Sequence, residues 1–199
     1  MKSSPLLAVA FSIALAFLPQ TQDAEDAQII EEDYRVTSVA GRQRAVEDLL
    51  SRVDQLRTAG QPIEAARALN RVGRFRIRMS LAQDAVTTFQ EALKLLEQQP
   101  DVKTQIDSLN GLASSYGKLS KCELAEPSAN QALTLSNQNN YVAGKAEGLL
   151  ILSDCQNLRD HALAQKTAQE SLALWSSLNR KRGMADAHVA IAHYQMTQH

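Results

Sequence analysis

Aromatic residues make up only 5% of this 199-residue chain, and there are eight glycines and five prolines. The scarcity of aromatic residues and of β-branched runs argues against a sheet, because those side chains fill pleated, half-buried surfaces. Neither sign of charge dominates. Twenty-one Lys and Arg stand against 22 Asp and Glu, for a formal net charge of −1. That excludes the basic footprint of a nucleic-acid binder and any general pull toward an acidic membrane surface. The sequence has no HExxH, no glycine-rich phosphate loop and no Gly-x-Ser-x-Gly elbow. No residues are left for an enzyme reading, and no cofactor is expected. What the chain does have is alanine, leucine and a composition 44% hydrophobic and 22% charged, as a folded helical protein should.

The longest apolar run is Leu6 to Leu18, preceded by Lys2 and stopped by Pro19. It falls short of the roughly 20 residues of a comfortable membrane span and reads as an export signal. The alternative is an uncleaved membrane anchor. Residues 1–24 are assigned to the signal, with the cut uncertain between Ala16 and Ala24, and residues 25–42 to an acidic linker. The expected location is the periplasm or the secreted space.

From residue 43 onward helical periodicity is nearly continuous. It predicts eight helices, over 43–59, 62–79, 81–98, 102–118, 121–138, 142–158, 161–178 and 182–198. Gly60 suits a left-handed helix end and Pro62 the first turn of the next helix. Ser80 with Gln83, and Ser120 with Glu123, read as capping boxes. Asp101 and Asp160 read as caps, and Asn137, Asn139 and Asn140 mark a turn. Pro127 should kink the fifth helix or move its start to near Ala125.

Three alanine-led blocks recur about every 40 residues: Ala85, Phe89, Ala92; Ala125, Ala129, Ala132; and Ala164, Ala168, Ser171. Large-small pairs precede or follow them at Val72-Gly73, Leu112-Ala113 and Ile191-Ala192, while the third unit shows Leu152 at its small position. In these blocks, over about residues 62–199, the chain resembles the tetratricopeptide repeat family, in a branch with longer units than the common 34 residues. The resemblance implies an all-α solenoid of antiparallel helix pairs over residues 43–199, in which each unit buries its apolar face against its neighbours.

It also implies that the first helix of each pair lines a concave groove. The corresponding positions are Arg67, Asn70, Arg74 and Arg78, then Asp107, Asn110, Ser114 and Lys118. They continue with Leu149, Ser153, Gln156 and Asn157, and end with Val189 and His193. The surface is polar with an arginine-rich end, suited to an acidic segment or a terminal carboxylate through arginine forks.

Cys122 and Cys155 lie on consecutive antiparallel helices at similar height. A disulfide and two unpaired thiols both remain open, since equal height does not secure the Cα spacing a bridge needs. His161, His188, His193 and His199 form no metal-ligand spacing, and no metal site is expected. The expected function is an exported scaffold that binds a peptide or protein segment in its groove. The alternative is the sensory or docking portion of a larger signalling or enzymatic protein. The last helix is expected to lack a packing partner, which suggests self-association through that end.

Overall fold

Long stretches without a breaker become eight helices in the computed structural model, which describes residues 28–30 and 32–196. They are α1 (Val39–Thr58), α2 (Pro62–Arg78), α3 (Ala82–Leu96), α4 (Val102–Lys118), α5 (Cys122–Gln138), α6 (Val142–Gln156), α7 (His161–Ser177) and α8 (Lys181–Met196). The chain divides into two units, Met1–Val36 and Thr37–His199. In the first, residues 28–30 and 32–35 are helical. The expected export signal lies outside the described residues. Among those described, no strand occurs and no helix is long and apolar enough to cross a membrane.

The helix ends follow two rules, and the second extends beyond Gly60, where it was expected, to serine and asparagine. Asp101 and Asp160 cap α4 and α7 by accepting from the amides of Thr104 and Leu163, each at 2.9 Å. At the other type of junction the chain turns through a left-handed residue: Gly60, Ser80, Ser120, Asn140 and Asn179, with φ from 51° to 68°. After each, the next amide bonds back five residues. The pairs are Gln61 to Leu56, Leu81 to Arg76, Lys121 to Tyr116, Tyr141 to Ser136 and Arg180 to Trp175, at 2.9–3.0 Å. This is the Schellman closure. The expected capping boxes are therefore absent. Ser80 and Ser120 close the preceding helices, and Leu81 and Lys121 hold the N-cap positions of α3 and α5 with no side-chain cap. The first helix starts at Val39, four residues before the expected 43, because Ser38 caps it by accepting from the Gly41 amide at 3.0 Å.

All nine residues of the three alanine-led blocks are fully buried. Phe89 is the one large member, and its ring sits between two glycines. A Cβ on Gly73 would come within 2.4 Å of that ring, and one on Gly111 within 2.2 Å. Two glycines on flanking helices thus open the slot that one phenylalanine fills, and burying that ring contributes roughly 2–3 kcal/mol. Ala113 packs on Ala129 of its own pair and on Ile151 and Leu152 of the next. The large-small pair of the third unit is Leu152-Ser153, with Ser153 fully buried, rather than one with Leu152 as its small member. In the fourth unit Ala192 is exposed.

α5 runs from Cys122 through Pro127 without the later start considered above. Cys122 at its first turn and Cys155 near the end of α6 are joined as a disulfide, with Cα atoms 5.5 Å apart. This resolves the alternative left open by helix height. The bridge ties the second pair to the third.

Successive helices pack side by side from α1 to α8, and α2, α4, α6 and α8 also touch one another in turn. The second helices α3, α5 and α7 make no comparable contact among themselves. Helices on the inside of a curve are the closer ones. The first helices therefore line the concave side of the array.

Candidate binding groove

The step between equivalent positions is 40 residues from α2 to α4 and from α4 to α6. It is 39 from α6 to α8, as the ladder (Ala125 to Ala164) and the left-handed turns (Asn140 to Asn179) both show. Followed along the concave side, that step joins Arg67, Asp107, Glu147 and Asp186. A column that opens with arginine thus continues as three carboxylates. The equivalent column one to two turns further along each helix reads Arg74, Ser114, Asp154 and His193.

The middle of the acidic column is the most perturbed place in the molecule. Tyr141, in the turn before α6, donates its hydroxyl to Asp107 Oδ1 at 3.1 Å, and the Lys103 ammonium lies 5.4 Å from its ring centre. Burial, then the charges of Asp107 and Glu147, push the Tyr141 hydroxyl well above the usual phenol range. Glu147 is partly buried. Burial, followed by the Asp107 carboxylate, raises it to about 7, with Arg74 pulling the other way and Asp186 adding to the rise. Asp186 is itself raised by burial, opposed by Arg182 (Nε to Oδ2, 3.1 Å) and by Lys118. Arg74 brings a guanidinium whose Nε is buried without a hydrogen-bond partner. One arginine and a tyrosine thus stand with a pair of carboxylates, and after burial the Asp107 charge is the main cause of the rise at Glu147.

At the α2 end, Arg67, Arg71, Arg74 and Arg78 follow one another at intervals of four, three and four residues and so share one face. Arg67 donates from Nε to the Thr104 hydroxyl at 3.2 Å and stands 3.7 Å from Asp101. Burial raises the Asp101 carboxyl, but hydrogen bonds from Thr104 and the charge of Arg67 outweigh it and hold the group below its ordinary value. Arg78 lies 5.6 Å from the Phe75 ring centre.

Five of the expected groove residues are buried in the interior instead. Asn70 is 1% exposed, donates to the Thr104 carbonyl at 3.2 Å and accepts from the Ser108 hydroxyl at 2.8 Å. Asn110, fully buried, donates to the Gly144 carbonyl at 2.9 Å. Both tie one first helix to the next over the same 34-residue interval, so they space the repeats and do not face an open groove. Ser153, also fully buried, bonds the Leu150 carbonyl and the Tyr194 hydroxyl. Asn157 is buried, with Oδ1 2.8 Å from His161 Nδ1. Leu149 is buried as well, whereas Ser114 and Gln156 are partly buried and Lys118, Val189 and His193 are exposed. Sequence reasoning missed Tyr141, Glu147 and Asp186, although adding 40 and then 39 to Asp107 reaches both carboxylates.

Among the described residues no three His, Cys, Asp or Glu stand together as metal ligands. The chain matches no curated protein. The family model of the tetratricopeptide repeat matches residues 64–138, which span nearly all of α2 and the whole of α3, α4 and α5. Those are the helices that hold the Phe89 slot and both tie asparagines, Asn70 and Asn110. Residues 64–138 are therefore similar to the tetratricopeptide repeat, whose repeats suggest a scaffold for protein–protein interaction.

Proposed function

We propose that this chain is an exported scaffold that binds an extended peptide or protein segment along the first helices, with an acidic stretch of the partner lying on α2. The observation that carries this reading is the arginine face of α2, where Arg67, Arg71, Arg74 and Arg78 share one side of a concave helix. Guanidinium groups on a preordered helix offer forks to carboxylates at little ordering cost. The acidic column begins on the next first helix, α4, at Asp107, and continues through Glu147 and Asp186. It sets the polarity of a bound segment, acidic residues toward α2 and cationic ones toward α6. Export is supported by the leading Lys2 and Leu6–Leu18 pattern and by the Cys122–Cys155 disulfide, which belongs in an oxidising compartment.

Titration of the chain with fluorescent peptides tests this, using one Asp/Glu-rich set and one Lys/Arg-rich set. Acidic peptides should bind, and Arg74→Gln with Arg78→Gln should weaken them at least tenfold while the helical circular dichroism stays intact. Equal binding by both sets, or no change in the double variant, would overturn the arginine-face reading. The same chain carries a second reading, self-association, which is favoured by the exposed Val189 and Met196 of α8.

A further inference from the structure

A cavity of about 520 Å³ opens between α5 and the end of α6. Both halves of the Cys122–Cys155 bridge line it, with Glu126, Pro127 and Asn130 of α5 and Arg159 beyond α6. Ligand sites commonly span about 300–1,000 Å³, so the volume suits a short peptide segment. The first pair shows what closes this place elsewhere. Stepping back 40 residues, Glu126 and Arg159 correspond to Val86 and Leu119. Val86 is 3% exposed, and Leu119 packs on the same apolar cluster. In the second pair that apolar plug is replaced by an ion pair between Glu126 and Arg159, whose arginine side chain is 64% exposed. A pair so open to water holds weakly. The bridge is equally particular to this junction. Steps of 40 back and 39 forward carry Cys122 to Ala82 and His161, and Cys155 to Ser115 and Tyr194. The two sulfurs also differ. Cys155 is 1% exposed, whereas Cys122 is partly exposed. Cys122 opens the first turn of α5, behind an N-cap residue, Lys121, that gives no side-chain cap. The amides and dipole of a helix start favour a thiolate there. Pro127 has no amide for the Glu123 carbonyl, and both residues line the cavity. A backbone acceptor without its helical donor thus stands beside the bridge.

We infer that this cavity is a thiol–disulfide exchange site, in which the thiolate of a cysteine-bearing peptide attacks Cys122 Sγ in the folded array. The site goes beyond the groove reading and does not depend on what the groove binds. Chemistry selects the occupant: the reactive group in the lining is a disulfide, and its attacker in exchange is a thiolate. Exposure selects the sulfur. The attack runs in line with the bond, so the accessible Cys122 sulfur is struck and the buried Cys155 sulfur leaves. A bond forms between the peptide sulfur and Cys122 Sγ. The Sγ–Sγ bond breaks, and its electron pair goes to Cys155, which takes a proton from water. The peptide thiol has already given a proton to water, so none is gained or lost overall. A second peptide thiolate then attacks the peptide sulfur of the mixed disulfide, and Cys122 leaves as the thiolate that the helix start favours. Two peptide thiols are oxidised to one disulfide, and the bridge is reduced by two electrons. Before that second step Cys155, with its Cα 5.5 Å from that of Cys122, is placed to attack back and restore the bridge. Completed exchange unfastens α5 from α6.

Exchange kinetics on the oxidised full chain read this directly. The chain is mixed with an excess of the capped peptide Ala-Cys-Ala, quenched with acid, alkylated and digested for mass spectrometry. The peptide should appear on Cys122 with Cys155 free, at a rate proportional to thiol and unchanged by low urea, while circular dichroism stays helical. At equal thiolate concentration the peptide should react at least tenfold faster than mercaptoethanol, which has no backbone to seat in the cavity. Asn130→Trp fills the wall from an exposed position and should slow the peptide at least fivefold without loss of helical signal. A bridge untouched by either thiol, a peptide found on Cys155, or exchange that rises only as urea unfolds the array would overturn the site. Equal rates for the two thiols, or an Asn130→Trp chain as fast as the parent, would show open access without recognition and overturn the part given to the cavity.

Discussion

Glu147 shows how one side chain records its surroundings. In an unfolded chain its carboxyl titrates near the ordinary 4.5; in the fold, burial and the Asp107 carboxylate raise it to about 7. Between those values the native state holds more protons than the unfolded one, so stability falls as pH rises from about 4.5 to 7 and stays low above. Glu147→Gln keeps the shape and removes the charge. It should flatten that part of the pH profile and make the protein more stable at pH 8 by on the order of 1–3 kcal/mol. Urea unfolding of both proteins at pH 5 and pH 8 measures the difference. Parallel profiles would show that Asp107 and Arg74 do not act on this carboxyl as described. The residue was absent from the groove positions inferred from the sequence, which named Leu149, Ser153, Gln156 and Asn157 for this unit. Its environment is assembled from α2, α4, α6 and α8, with Arg74 73 positions away in the chain. A single helix read alone shows only a solvated-looking acid.

At the scale of the helix, much of the fold was legible because helices are specified locally. Pro62 at the first turn, Asp101 and Asp160 as caps, and Gly60 as a left-handed stop each act within a few residues of themselves. The alanine-led blocks were legible because burial imposes small residues at every helix crossing. What misled was serine, which can cap a helix start or close a helix end with equal sequence plausibility. At Ser80 and Ser120 the five-residue back-bond wins, at the cost of a left-handed φ for a residue with a Cβ. Glycine adopts that conformation freely, as Gly60 does at the equivalent kind of turn. Ser80→Gly and Ser120→Gly should therefore each raise stability by about 0.5–1 kcal/mol. An N-cap role would predict the reverse, because losing the hydroxyl would then cost stability. Thermal unfolding of the two variants separates the alternatives by sign alone.

In the whole repeat array, each pair is held only by its neighbours, so stability is a sum of junctions and the weakest junction decides where the array opens. The asparagine ties cover two junctions: Asn70 joins α2 to α4, and Asn110 joins α4 to α6. The disulfide adds a second fastening at the junction of α5 and α6, closing a loop over a separation of 33 residues. Restricting the unfolded chain over a loop of that length contributes roughly 3–4 kcal/mol. Beyond that junction lie α7, with its ladder residue Ser171, and α8. Replacing both cysteines by serine should remove most of that stabilisation and also uncouple the two halves. Trp175 is the chain's one tryptophan and sits in α7, so its fluorescence reports the C-terminal half while circular dichroism reports every helix. With the bridge intact the two signals should unfold together in urea. In the Cys122→Ser/Cys155→Ser chain the tryptophan transition should come first, at lower urea than the bulk of the helical signal. Coincident transitions in that variant would mean that helix packing and the Asn110 tie alone hold the junction, and that the bridge acts on the array as a single block.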